Sequence, residues 1–106
     1  MPFVKVGSLS ALPPGSVIET QVGDGTYAIC NVGGDEAHAE VHALDGICPH
    51  AGGPLGQGAL HGATLVCPWH AWEYDCRSGV NEMDDGYRIA KVPVKIEGDD
   101  ILIEIP

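Results

Sequence analysis

At 106 residues the chain is long enough for one modest core and too short for a core plus a separate substrate domain. Fifteen acidic residues against five basic ones leave a net charge of −10, which disfavours nucleic acid as a partner and suits a basic protein surface. The opening stretch MPFVKVGSLS has no basic run followed by an apolar one, and no segment approaches the roughly twenty apolar residues of a membrane span. The expectation is a single soluble domain over residues 1–106 that stays in the cytoplasm, with no membrane partner.

In chain order, short β-rich runs alternate with turn signals, and no long segment has helical periodicity, so the class is mainly β. Strands are expected at Phe3 to Val6, Val17 to Val22, Thr26 to Asn31, Glu40 to Leu44, Thr64 to Cys67, Trp72 to Asp75, Ala90 to Glu97 and Ile101 to Ile105. Turns at Pro13-Pro14-Gly15, Gly23-Asp24-Gly25, Gly33-Gly34-Asp35, Ser78-Gly79 and Gly98-Asp99-Asp100 punctuate them. Leu9 to Leu12 has the makings of one helical turn. Val92, Val94 and Ile96, then Ile101, Ile103 and Ile105, each place every second side chain on one face, so the last two runs read as a closing hairpin. No internal repeat or low-complexity tract argues for a linker or second domain.

Two short pieces carry the chemistry. Cys48-Pro49-His50 and Cys67-Pro68-Trp69-His70 each hold a thiol and an imidazole two or three residues apart, sixteen residues from one another. Each is short enough for one tight loop to turn both side chains toward a common point. Two sulfurs and two nitrogens suit either a tetrahedral zinc ion or a two-iron cluster with one sulfur-bound and one nitrogen-bound iron. All four side chains are spent on holding the centre, so no open coordination position remains for a substrate, unlike a catalytic metal site. Glycine and proline crowd the stretch CPHAGGPLGQGALHG, where glycine lets backbone N–H groups approach the sulfurs and Pro49, Pro54 and Pro68 stiffen the loops.

CPHAGG at 48–53 and CPWHAW at 67–72 resemble the two cluster-binding boxes of the Rieske iron-sulfur proteins, and their spacing is similar to that of the family's small soluble ferredoxins. The resemblance implies one Rieske-type 2Fe-2S cluster, with Cys48 and Cys67 on one iron and His50 and His70 on the other. It also implies a β-sandwich-like base with an inserted cluster-binding subdomain, here about residues 45–74. Two ferric ions, two sulfides, two thiolates and two neutral imidazoles sum to zero, so reduction adds one negative charge. The implied role is electron transfer from a flavin-dependent ferredoxin reductase to the terminal oxygenase of a multicomponent dioxygenase, a carrier rather than an enzyme, leaving through the outer edges of His50 and His70. The acidic surface would make both encounters transient and electrostatically steered.

Against the high-potential respiratory type, three positions differ. The extra cysteines that form its loop-bracing disulfide match Gly53 and Trp69 here, and its sulfide-bonding serine matches Trp72. Lost donors destabilise the reduced state. Tyr74 matches a tyrosine whose hydroxyl bonds a ligand sulfur, although a core aromatic on a strand is an equal reading of it. The expectation is a potential in the lower half of the Rieske range, about −150 to 0 mV. Trp69 and Trp72 are read as shielding the cluster from water. Cys30 and Cys76 read as inert buried thiols, and His38, His42 and His61 lack ligand spacing, with His61, between the boxes, the one of them expected near the cluster. Two other readings stay open: the small subunit of assimilatory nitrite reductase, similar in fold but often short of ligands, and a structural zinc domain.

Overall fold

The computed structural model describes residues 3–34, 39–49, 52–69, 71–83 and 86–105. Ten strands form among them: β1 Phe3–Ser8, β2 Ser16–Val22, β3 Gly25–Gly34, β4 Ala39–Asp45, β5 Ala59–His61, β6 Thr64–Val66, β7 Glu73–Asp75, β8 Lys91–Val92, β9 Val94–Glu97 and β10 Asp100–Glu104. They make three sheets ordered β2-β3-β4-β8, β1-β10-β9 and β5-β6-β7, and every pairing is antiparallel. The expected helical turn is a short 3-10 turn at Leu9–Ala11, and a second, unanticipated one covers Leu55–Gln57.

Strand alternation explains the layering. On β3 and β4, Ile29 and Ala43 point to one side, where Leu12, Ile101 and Ile103 complete a core against the β1-β10-β9 sheet. Ala28, Cys30 and Leu44 point to the other side, toward Leu55, Leu65, Tyr74 and Cys76 of the excursion between β4 and β8. The middle of the four-stranded sheet is thus buried on both faces. Each fully buried Leu or Ile in these layers stabilises by about 1.5–3 kcal/mol relative to exposure.

Two departures from the sequence expectations have clear causes. The run Ala90 to Glu97 is not one strand: Pro93, without an N–H to give a ladder, ends β8, which pairs with β4 at Ala43 and Leu44. Beyond it β9 joins the other sheet and forms the expected closing hairpin with β10, pairing Glu97 with Asp100. Val92 therefore belongs to a different sheet from Val94 and Ile96. Strand β3 also outruns its expected end, because a bulge lets it continue: Asn31, buried, donates through Nδ2 to the Leu12 carbonyl at 2.9 Å and accepts from the Gly33 N–H at 3.0 Å.

The excursion leaves the base after Asp45 and rejoins it at Lys91, so the segment expected at about 45–74 ends partway through it. After β7 the chain folds back, with bridges Tyr74 to Asn81 and Val80 to Arg88, and the Ile89 N–H donates to the Gly79 carbonyl at 2.7 Å. Strand β5 was not expected, since three residues flanked by glycines carry too little pattern to read. Among the described residues no helix is long and apolar enough to cross a membrane.

Candidate metal centre

The two boxes share one loop design. In the first, the Cys48 N–H donates to the Gly53 carbonyl at 2.8 Å, and in the second, the Cys67 N–H donates to the Trp72 carbonyl at 2.8 Å. Each cysteine thus clamps the backbone five residues ahead of it, closing a loop around the position where that box carries its histidine. Each loop reverses through a left-handed residue, Gly52 at φ 75° in the first and Ala71 at φ 58° in the second. Alanine is uncommon there, and the strain is held by the hydrogen-bonded loop around it. His50 and His70 themselves lie outside the described residues, as does His38.

Both thiols are buried, each about 1% exposed. Burial, ahead of the neighbouring Cys48, pushes the Cys67 thiol upward, while the Trp69 N–H, donating to Cys67 Sγ at 3.4 Å, pulls the other way. The loops touch at Gly53: a Cβ there would sit 2.7 Å from Cys67 Sγ and 3.2 Å from Trp69 Cβ. Gly53 and Trp69 lie close together, and neither carries a thiol that could bridge the loops.

Tyr74 combines a core position with a polar contact. Its ring is wholly buried in the layer between the sheets, and its hydroxyl lies 3.3 Å from Cys48 Sγ. Burial first, then Cys48, pushes that phenol above its usual range. Trp72 is partly buried and meets the edge of Tyr87 with ring centroids 4.8 Å apart, while Trp69 is 48% exposed. His61 ends β5 at the surface, and His42 Nε2 sits 2.7 Å from Glu40 Oε2, where Arg77 also lands. Cys30 and Cys76 are free, fully buried neighbours, and the Cys76 contact together with burial drives the Cys30 thiol far upward, which keeps it protonated and slow to react.

One residue escaped the motif reading. Asn81, 5% exposed, lies opposite Tyr74 across an isolated bridge, and its side chain counters the upward push that burial and Cys48 exert on the phenol. Nothing in its local sequence marks it; only the fold-back after β7 brings it there.

A pair of buried thiols held by rigid, glycine-fitted loops with an N–H aimed at a sulfur suits a sulfur-ligated iron. The sequence profile of the Rieske [2Fe-2S] domain matches residues 2–93. The chain belongs to the Rieske [2Fe-2S] family. As a Rieske protein it carries one Rieske-type 2Fe-2S cluster, and it is an electron carrier rather than a catalytic enzyme. It is 29% identical to the ferredoxin component of biphenyl 2,3-dioxygenase from Rhodococcus jostii, over 99% of this chain and 94% of that one. It is also 36% identical, over 58% of its length, to a 4β-methylsterol monooxygenase from Methylococcus capsulatus, of which it spans only 20%. The fold superposes on the ferredoxin of carbazole 1,9a-dioxygenase from Nocardioides aromaticivorans with a TM-score of 0.85 at 24% identity, covering all of both chains. A nitrite reductase small subunit from Mycobacterium tuberculosis shares the fold with a TM-score of 0.83 at 15% identity, over 99% of this chain and 96% of that one.

Proposed function

We propose that Cys48, His50, Cys67 and His70 hold the cluster and that the protein passes its electron from a flavin-dependent reductase to a terminal oxygenase. The observation that carries this is the matched pair of loops that bury Cys48 and Cys67 side by side, each closing around a histidine position. When bound, the cluster takes up and gives back one electron. The protein's part is to hold it still: Pro49 and Pro68 stiffen the loops, Gly53 lets them meet, and the Trp69 N–H and Tyr74 hydroxyl stabilise sulfur charge. Trp69 and Trp72 cover the approach from solvent. Retained donors of this kind, without a sulfide-bonding hydroxyl at Trp72, support a potential of about −150 to 0 mV.

Docking is transient and steered by charge. Glu73 and Glu82 are exposed neighbours, the Glu82 N–H donating to the Glu73 carbonyl at 2.9 Å, beside Trp72 and the 87%-exposed Met83. An apolar spot with an acidic rim fits a basic docking face on the partner. Cys30 and Cys76, buried and not bridged to each other, suit a reducing compartment, so we place the protein in the cytoplasm. The nitrite reductase likeness rests on fold alone, whereas both cysteine-histidine boxes are complete here.

The test is spectroscopic first: purified protein should be reddish-brown, and its reduced form should give an EPR signal with average g below about 2, which a two-iron cluster gives and a redox-silent zinc ion cannot. Colourless protein with bound zinc would sink the reading. Mixing reduced protein with candidate oxygenases and following bleaching of the visible band then identifies the acceptor.

A further inference from the structure

We propose that Asn81 is a positioning residue that aims the Tyr74 hydroxyl proton at the Cys48 sulfur and so tunes how readily the protein accepts its electron; this rests on Cys48 being a cluster ligand. A hydroxyl hydrogen is a rotor, and its direction depends on what surrounds the oxygen. Tyr74 Oη, fully buried, has Cys48 Sγ at 3.3 Å. The thiolate of a ligand carries no proton, so in that pair the phenol must be the donor.

Asn81 enforces that direction. It faces Tyr74 across an isolated antiparallel bridge, which places the two side chains on the same side of the backbone, and it is buried. Its carboxamide cannot be turned round, because the Met83 N–H donates to Oδ1 at 2.8 Å and only the oxygen can accept. The amide's other polar atom, Nδ2, is a donor with no lone pair to offer the Tyr74 hydroxyl. With an N–H directed at its oxygen, the phenol proton finds no acceptor at Asn81 and is left for the sulfur. The chain Asn81 to Tyr74 to Cys48 is then polarised in one sense, each bond strengthening the next. Backbone bonds hold the frame: the Asn81 N–H donates to the Tyr87 carbonyl at 2.9 Å, and the Glu82 N–H ties the strand to β7. Because reduction adds negative charge to the centre, a well-aimed donor at the sulfur favours the reduced state.

The experiment is a double-mutant cycle on the holoprotein, read by reduction potential and by pulsed EPR of the reduced form in D2O, where an exchangeable deuteron on the Tyr74 hydroxyl couples to the unpaired spin. Tyr74→Phe should lower the equilibrium constant for reduction about tenfold, equivalent to about 59 mV for one electron, and remove that coupling. Asn81→Leu should lower it about threefold in the native background and weaken the coupling, yet leave it nearly unchanged when Tyr74→Phe is already present. An equal shift in both backgrounds, or none in the native one, overturns the proposal. If Tyr74→Phe itself leaves both potential and coupling untouched, it is the ligand reading of Cys48 that fails. Should Asn81→Leu not load its cluster, Asn81→Asp at about pH 8 keeps an acceptor for Met83 but presents a carboxylate to the phenol. Its deuteron coupling should vanish, and a retained coupling overturns the proposal.

Discussion

Gly53 shows how much one missing side chain decides. A Cβ at this position would come 2.7 Å from Cys67 Sγ, closer than real Cβ contacts allow, and 3.2 Å from Trp69, tighter than most. The sulfur is held by the loop clamp at Cys67 and cannot swing aside like the end of a long surface side chain. Gly53→Ala is therefore expected to cost about 1–3 kcal/mol of stability and to cut iron bound per protein by at least about half. Iron assay and urea unfolding of the variant check it, and full loading at unchanged stability would refute the contact. The glycine-rich box was readable as a place of close backbone approach, but which glycine meets which sulfur was not, because the two boxes are distant in sequence.

Among the elements, the joint between base and excursion is polar on the outside. Glu40 on β4 receives Arg77, just beyond β7, through Nε at 2.5 Å and Nη2 at 3.0 Å, and His42 at 2.7 Å. Lys91 on β8 reaches His42 Nδ1 at 3.1 Å and the Arg77 carbonyl at 2.6 Å. Arg77 first, then His42, holds the Glu40 carboxyl down to about 2. A folded-state value below the unfolded one means the group stabilises fully above about pH 4.5 and loses that contribution as pH falls toward 2. Glu40→Gln should thus be less stable than the native protein above about pH 5, with the gap closing below about pH 4.5. Parallel urea unfolding across that range tests this, and a gap that stays constant down to the lowest pH would show that the pair contributes nothing through charge. Neither Glu40 nor Arg77 stands out in sequence, because they lie on elements that only the fold-back of the excursion brings together.

For the whole molecule, net charge governs encounter. Among the described residues Lys5 pairs with Asp100 at 3.0 Å, Lys95 lies 3.6 Å from Glu97 and Arg77 is held by Glu40, so bases already face acids and the excess of acids sets the outer field. Electron-transfer rate with a basic partner should fall about tenfold between roughly 10 mM and 0.5 M salt, as the screening length shrinks below the span of the docking face. Stopped-flow rates against ionic strength measure it, and a flat dependence would remove steering as the means of recognition.

The class of fold was legible in the sequence, because period-two alternation is a local property of an extended chain. Cysteine–histidine pairs two and three residues apart admitted zinc or a two-iron cluster, and the resemblance of the two boxes chose between them. The sequence also marked Tyr74, Gly53 and Trp69, through resemblance to known boxes. Only tertiary structure decided where the strands part company at Pro93, why β3 and β4 are apolar on both faces, and which residues stand behind the sulfurs. Cys76 meets Cys30 and Arg77 meets Glu40 across tens of residues, and Asn81 reaches Tyr74 through the fold-back after β7; no periodicity in a one-dimensional chain encodes such partners.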